Sequence, residues 1–170
     1  MHRFRKIAFL CGLIGLVGSS AVAAELALIR QQASTARCRL ELQIGPTEKM
    51  FTPAEVAAKH PTEGEVMVSG KMSMTTGGMS MEMGDTRHLE VHVYALADGK
   101  VVTNAHVAIA LTDASSKKAD EVAIAKMYGI KEGIPDTHYG NNVSLPPGTY
   151  SIAVTVNGEK AAFTVAIPAS

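Results

Sequence analysis

The chain of 170 residues has no tryptophan, two cysteines, and four residues each of tyrosine and phenylalanine. So few aromatics, with basic residues scattered among them, exclude a stacking platform for single-stranded nucleic acid. Sixteen basic against sixteen acidic side chains leave no net field to steer a polyanion. Two cysteines exclude a disulfide framework. A hydrophobic fraction of 46% against 19% charged excludes a disordered tail protein. Catalytic signatures are missing too: there is no serine in a nucleophile elbow, no glycine-rich phosphate loop and no zincin helix. The sequence reads as a non-enzymatic protein with one domain.

What is present begins with an export signal. His2, Arg3, Arg5 and Lys6 form a basic start, Ile7 to Val17 is apolar, and Ala21-Val22-Ala23 is a small-x-small cleavage site. These are the parts of a secretory signal peptide, assigned to residues 1–23, and they predict a periplasmic or secreted product. The apolar run is shorter than the roughly 20 residues of a membrane span. Cleavage removes three basic residues and no acid, so the mature balance turns acidic. It also leaves Cys38 alone in an oxidising compartment, where it reads as a buried small hydrophobe.

Residues 24–36 read as a polar lead-in with partial helical character, and 37–170 as a single domain. Leu40, Leu42 and Ile44 alternate with polar residues as a half-buried strand does. Thr52-Pro53-Ala54-Glu55 has the form of a capping box with proline in the first helical position, and Pro61 stops that helix. Glu65 to Ser69 reads as a short strand. Beyond Arg87 the period is two, through Leu89, Val91 and Val93 and on to Phe163, Val165 and Ile167. Asp98-Gly99 and Asn157-Gly158 read as hairpin turns. The expected fold class is all-β: an immunoglobulin-like β-sandwich of about seven strands, with one short N-terminal helix and a mobile Met-rich loop over 70–86.

Three constellations could carry chemistry. Met72, Met74, Met79, Met81 and Met83 stand at mostly alternate positions among Gly, Ser and Thr, with no aliphatic neighbours to pack against. Thioethers are soft and uncharged, so such a loop suits Cu(I); an oxidant sink is the rival reading. His88, Glu90 and His92 project from one face of a strand at spacings of about 6.6–7 Å. Two of them can share an ion, and imidazole with carboxylate suits Cu(II), zinc or Fe(II); a solvated polar face is the rival reading. Pro135 to Asn142 reads as an irregular loop that offers Asp136 and His138. Met127 precedes that loop, as a ligand or as core packing.

Arg87-His88-Leu89-Glu90, followed by His138-Tyr139-Gly140-Asn141-Asn142-Val143 ahead of Leu145-Pro146, resembles the periplasmic iron-transport family that includes copper-binding dimeric antigens. The likeness spans roughly residues 85–156. It implies an immunoglobulin-like sandwich, a homodimer, and a copper site in which His88 and Glu90 act from one strand with Met127, Asp136 and His138 around the loop. The methionine loop lies outside that pattern. Together these readings predict capture and handover of copper, Cu(I) or Cu(II), with ferrous iron as the alternative ion. A membrane transporter or metallochaperone would be the recipient. The competing expectation is a non-catalytic interaction domain of the cell envelope.

Overall fold

The computed structural model describes residues 28–71 and 85–169. Residues 1–23, read above as an export signal, and the five methionines Met72, Met74, Met79, Met81 and Met83 lie outside the described residues. None of the described helices is long and apolar enough to cross a membrane.

The chain folds into two sheets. Its strands are β1 (Ile29–Ser34), β2 (Cys38–Pro46), β3 (Met50–Phe51), β4 (Glu65–Gly70), β5 (Thr86–Ala95), β6 (Val107–Asp113), β7 (Ala119–Glu121), β8 (Ala125–Gly129), β9 (His138–Ser144), β10 (Gly148–Val156) and β11 (Glu159–Ile167). One helix, α1 (Pro53–Lys59), lies between β3 and β4. The seven-stranded sheet runs β1-β2-β5-β9-β8-β4-β3, and the four-stranded sheet runs β11-β10-β6-β7. The all-β sandwich is as expected, but it has eleven strands among the described residues rather than about seven. The additional ones are too short to show an alternation, as β3 and β7 are, or too polar, as β1 and β9 are.

Two further expectations fail. The lead-in is not helical where it is described, because Ile29 to Ser34 pairs residue for residue with Ile44 back to Arg39. Gln31 and Gln32 lack apolar periodicity, yet their backbone completes the ladder edge. Residues 138–142 are not an irregular loop either. They form the start of β9, which runs between β5 and β8. Gly140 and the paired Asn141-Asn142 mimic turn chemistry, but each has a place in the sheet. A Cβ at Gly140 would run into the Leu89 carbonyl oxygen, and Asn141 donates from Nδ2 to the Lys71 and Ala123 carbonyls at 2.8 Å each.

The capping box forms as read: the Glu55 N–H donates to Thr52 Oγ1 at 3.2 Å, and the Thr52 N–H donates to Glu55 Oε2 at 2.9 Å. Asn157 and Gly158 turn between β10 and β11 with φ of 50° and 86°, the positive pair that a two-residue hairpin of this twist demands. The Asp98-Gly99 turn also forms, with the Gly99 N–H donating to the Ala95 carbonyl at 2.9 Å. The chain then makes only an isolated bridge, Tyr94 to Val101, before crossing to β6 in the other sheet. Tyr139 fastens this crossing: its hydroxyl accepts from the Ala105 N–H at 2.9 Å and donates to the Val102 carbonyl at 2.8 Å.

Between the sheets lies one apolar cluster, with Leu40, Leu42, Leu89, Val91 and Val93 facing Ile152, Val154 and Phe163. Cys38 is buried there as a free thiol. The opposite face of the seven-stranded sheet holds the chemistry.

Candidate metal centre

Residues directly opposite one another in an antiparallel ladder share a face. His92 is opposite His138, His138 opposite Met127, and Met127 opposite Met67. One row therefore runs across β5, β9, β8 and β4 on the face turned away from the second sheet. In the neighbouring rows Glu90 is opposite Gly140 and His88 opposite Asn142. Glu65 opens β4 and reaches across β8 towards the same place.

Four atoms converge. His138 Nε2 is 3.3 Å from Glu65 Oε2 and 3.3 Å from Glu90 Oε2, and His88 Nε2 is 3.5 Å from Glu90 Oε2. Ligand atoms of Glu65, His88, Glu90 and His138 all lie within 4.8 Å of one another. Glu65 Oε2, His88 Nε2 and His138 Nε2 are buried without a hydrogen-bond partner. Orphaned buried polar atoms of this kind are rare in folded proteins and call for a missing partner.

Their surroundings fix which atom each residue offers. Asn142 donates from Nδ2 to the Glu48 carbonyl at 2.8 Å, and its Oδ1 accepts from the Glu48 N–H at 3.2 Å. Oδ1 therefore faces His88 Nδ1 at 3.0 Å as an acceptor, and the His88 proton sits on Nδ1. His138 Nδ1 likewise donates to the Asp136 carbonyl at 2.8 Å. Both Nε2 atoms are then turned inward, the arrangement supporting hydrogen bonds impose on metal-binding imidazoles. His92 donates from Nε2 to Glu90 Oε1 at 3.2 Å, which turns the other carboxylate oxygen towards the two Nε2 atoms.

Electrostatics point the same way. Burial alone would lower the pKa of His138, but Asp136, Glu65 and Glu90 push it up to about 10. A proton on Nε2 then occupies the place of a cation. Burial would raise the Glu90 pKa, but the adjacent His88, the hydrogen bond from His92 and the charge of His138 hold it far below the usual carboxylate range. Asp136 is also lowered: burial opposes, while His138 and the Gly129 N–H outweigh it. Glu48, nearer the surface, is raised by burial, with His88 opposing and the Glu65 and Glu90 charges adding. Two carboxylates and two neutral imidazoles form a set of charge −2 that one divalent ion neutralises.

Of the residues singled out in the sequence, His88, Glu90 and His138 meet at this point. His92 and Asp136 stand behind it, each bonded to one of the three. Met127 is fully buried yet stands outside the intersheet cluster, in the row beside His138. Another histidine, His106, which the sequence did not single out, is remote, its N–H donating to Asn157 Oδ1 at the far hairpin. Sequence reasoning missed Glu65 and Asn142. The only trace of Glu65 was a carboxylate sharing a strand face with Met67, too short a pattern to interpret. Asn142 was taken for turn chemistry.

Among curated proteins none matches the chain. Among solved structures it is similar to the crystal structure of "as isolated" FetP from uropathogenic E. coli strain F11, at 11% identity and a TM-score of 0.48, covering 83% of this chain and 93% of that one. The family model for Fe2+ transport protein matches residues 35–165, and with that span covering most of its length the chain belongs to the Fe2+ transport protein family.

Proposed function

We propose that the protein captures ferrous iron in the periplasm or outside the cell and hands it to a membrane transporter or metallochaperone. The observation that carries this reading is the trio of buried, unpartnered ligand atoms, Glu65 Oε2, His88 Nε2 and His138 Nε2, around Glu90 Oε2. Two nitrogens and two carboxylate oxygens suit a divalent ion of intermediate hardness such as Fe(II). Iron is the cargo here, so the site needs an opening. Six carboxylates, Glu48, Glu63, Glu65, Glu90, Glu132 and Asp136, against two basic residues, Arg30 and Lys131, line a cleft of about 460 Å³. Acidic walls concentrate cations at the opening and speed their arrival.

Copper is the competing cargo. Any site with nitrogen and oxygen ligands holds Cu(II) more tightly than Fe(II), and the buried Met127 thioether beside His138 adds a soft donor. On that second reading the methionines at 72, 74, 79, 81 and 83 collect Cu(I) before transfer. Anaerobic equilibrium titration with Fe(II), and separately with Cu(I) and Cu(II), tests both. One equivalent of Fe(II) should bind, and His88→Ala and Glu65→Gln should each abolish tight binding. Fe(II) binding that neither substitution changes would remove the proposal.

A further inference from the structure

We propose that Arg87 is the centre of an oxyanion-binding site at the rim of the sandwich. The site lies on the opposite face of β5 from the metal centre and shares no atom with it, so it does not rest on the iron reading. Arg87 is the second residue of β5 and stands two before Leu89, which puts its side chain on the Leu89 side of the strand. The apolar row of β5 gives out here. Pro46, the last residue of β2, is opposite Arg87 on one side, and Val143 of β9 is opposite it on the other. Arg87 is only 2% exposed, and its Nε and Nη1 are buried without a hydrogen-bond partner. No ion pair among the described residues includes it.

An orphaned guanidinium is a harder case than an orphaned imidazole. Arginine keeps its charge when it is buried, so it cannot escape by losing a proton. An isolated buried charge is among the costliest groups a fold can hold, and it persists where something supplies the opposite charge. The side chains around Arg87, those of Pro46, Leu89 and Val143, carry no acceptor. Two carboxylates stand at this rim, Asp85 and Asp113, and both act on Tyr150. Asp113 is committed to its own turn, where Oδ1 accepts from the Ser115 N–H at 2.6 Å, the Ser115 hydroxyl at 2.7 Å and the Ser116 N–H at 3.3 Å. Asp85 holds the Leu145 N–H on its carbonyl at 2.8 Å, and its carboxylate makes no ion pair with Arg87. The acceptor therefore comes from outside the chain. A planar guanidinium takes the oxygens of a carboxylate, sulfate or phosphate on parallel N–H bonds. Near-complete burial limits the ligand to one small oxyanion, and the position at the end of the strand gives it a way in.

Sulfate and acetate are the probes, one tetrahedral and one a carboxylate. The metal-stripped chain is melted with each at millimolar concentration, against chloride at the same ionic strength, so that general salt effects cancel. At about five times its dissociation constant, a bound anion should raise the melting temperature of the native chain by about 2–4 °C. The larger of the two shifts shows whether the site takes a tetrahedral or a planar oxyanion. Arg87→Met should melt at or above the temperature of the native chain in chloride and respond to neither probe. Arg87→Lys keeps the charge without the fork and should keep only part of the shift, which serves the test if Arg87→Met does not fold. No shift of the native chain beyond chloride, or the same shift in Arg87→Met, overturns the proposal. So does a shift that appears only after Asp85→Asn combined with Glu82→Gln, because the chain would then be supplying its own carboxylate.

Discussion

Strand β5 shows two kinds of interior on its two faces. Leu89, Val91 and Val93 on one side are fully buried, and His88 and His92 on the other are 4% and 3% exposed. The first face is covered by the second sheet and packs carbon against carbon. The second is just as dry, yet it holds three rings, a carboxylate whose pKa is driven far down, and several polar atoms with no partner. Burial as such therefore does not separate core from site. The difference lies in whether the buried atoms are satisfied by protein. The apolar face is complete without anything added, whereas the polar face is complete only with a cation or a proton.

The sharpest way to break this comparison is to disturb the two faces one at a time. Leu89→Ala should cost about 2–5 kcal/mol of unfolding free energy and leave the iron affinity of the folded fraction unchanged. His88→Leu keeps the volume and removes an orphaned nitrogen, so the apoprotein should lose less than about 1.5 kcal/mol. Its iron affinity should fall by more than the about 100-fold that a supporting partner is worth. Denaturant unfolding of the apoprotein and anaerobic titration of each variant would measure both. Matching losses of stability and affinity in the two variants would mean the faces are not distinct.

A second test uses pH. The folded pKa of His138 is pushed up to about 10 from an ordinary 6.5. Its contribution to apoprotein stability is whole below 6.5, and it declines as pH rises through that window until it is gone above 10. The slope is at most about 1.4 kcal/mol per pH unit. Glu90 acts at the other end: its lowered pKa gives stability that is present above 4.5 and lost as pH falls. Iron must displace the His138 proton, so iron affinity should rise by up to about tenfold per unit across the same window. The iron-loaded protein should show no such alkaline decline. Thermal unfolding of both forms from pH 6.5 to 10 separates them.

How much of this was visible in the residues differs between the faces. The apolar alternation of β2, β5, β10 and β11 could be followed directly, because carbon packing leaves a period of two in the sequence. His88, Glu90 and His138 could be chosen by type, and the convergence of the first two by their spacing. Glu65 could not, since it arrives from β4 across an intervening strand, and that pairing is set by topology. Nor could the strand character of His138 to Asn142, because Gly140 is present for close approach to β5 and Asn141 for two carbonyls far away in sequence. The same letters spell a turn elsewhere. β1 was lost for a related reason: it pairs through its backbone, and its glutamines carry no signal.

Asn142 sharpens the comparison at the border between the faces. It neither lies in the apolar cluster nor reaches the four converging atoms, but it sets the His88 tautomer. Asn142→Leu should weaken iron binding by about 10–100-fold while His88, Glu90, His138 and Glu65 all remain. Asn142→Asp keeps an acceptor towards Nδ1 and should recover part of that loss. Equal loss in both variants would show that the residue matters only for packing.

The smallest effect is expected at α1, which belongs to neither face and buries no residue. Its stability rests on local bonds: Thr52 and Glu55 cap each other, and Lys59 pairs with Glu55 at 2.8 Å one turn on. Thr52→Ala should cost about 1 kcal/mol and leave iron affinity and its pH dependence unchanged. α1 precedes β4, however, and β4 opens with Glu65. If Thr52→Ala weakened iron binding as well, the helix would be acting to position Glu65. The dry polar face would then be held in shape partly from outside the sheet.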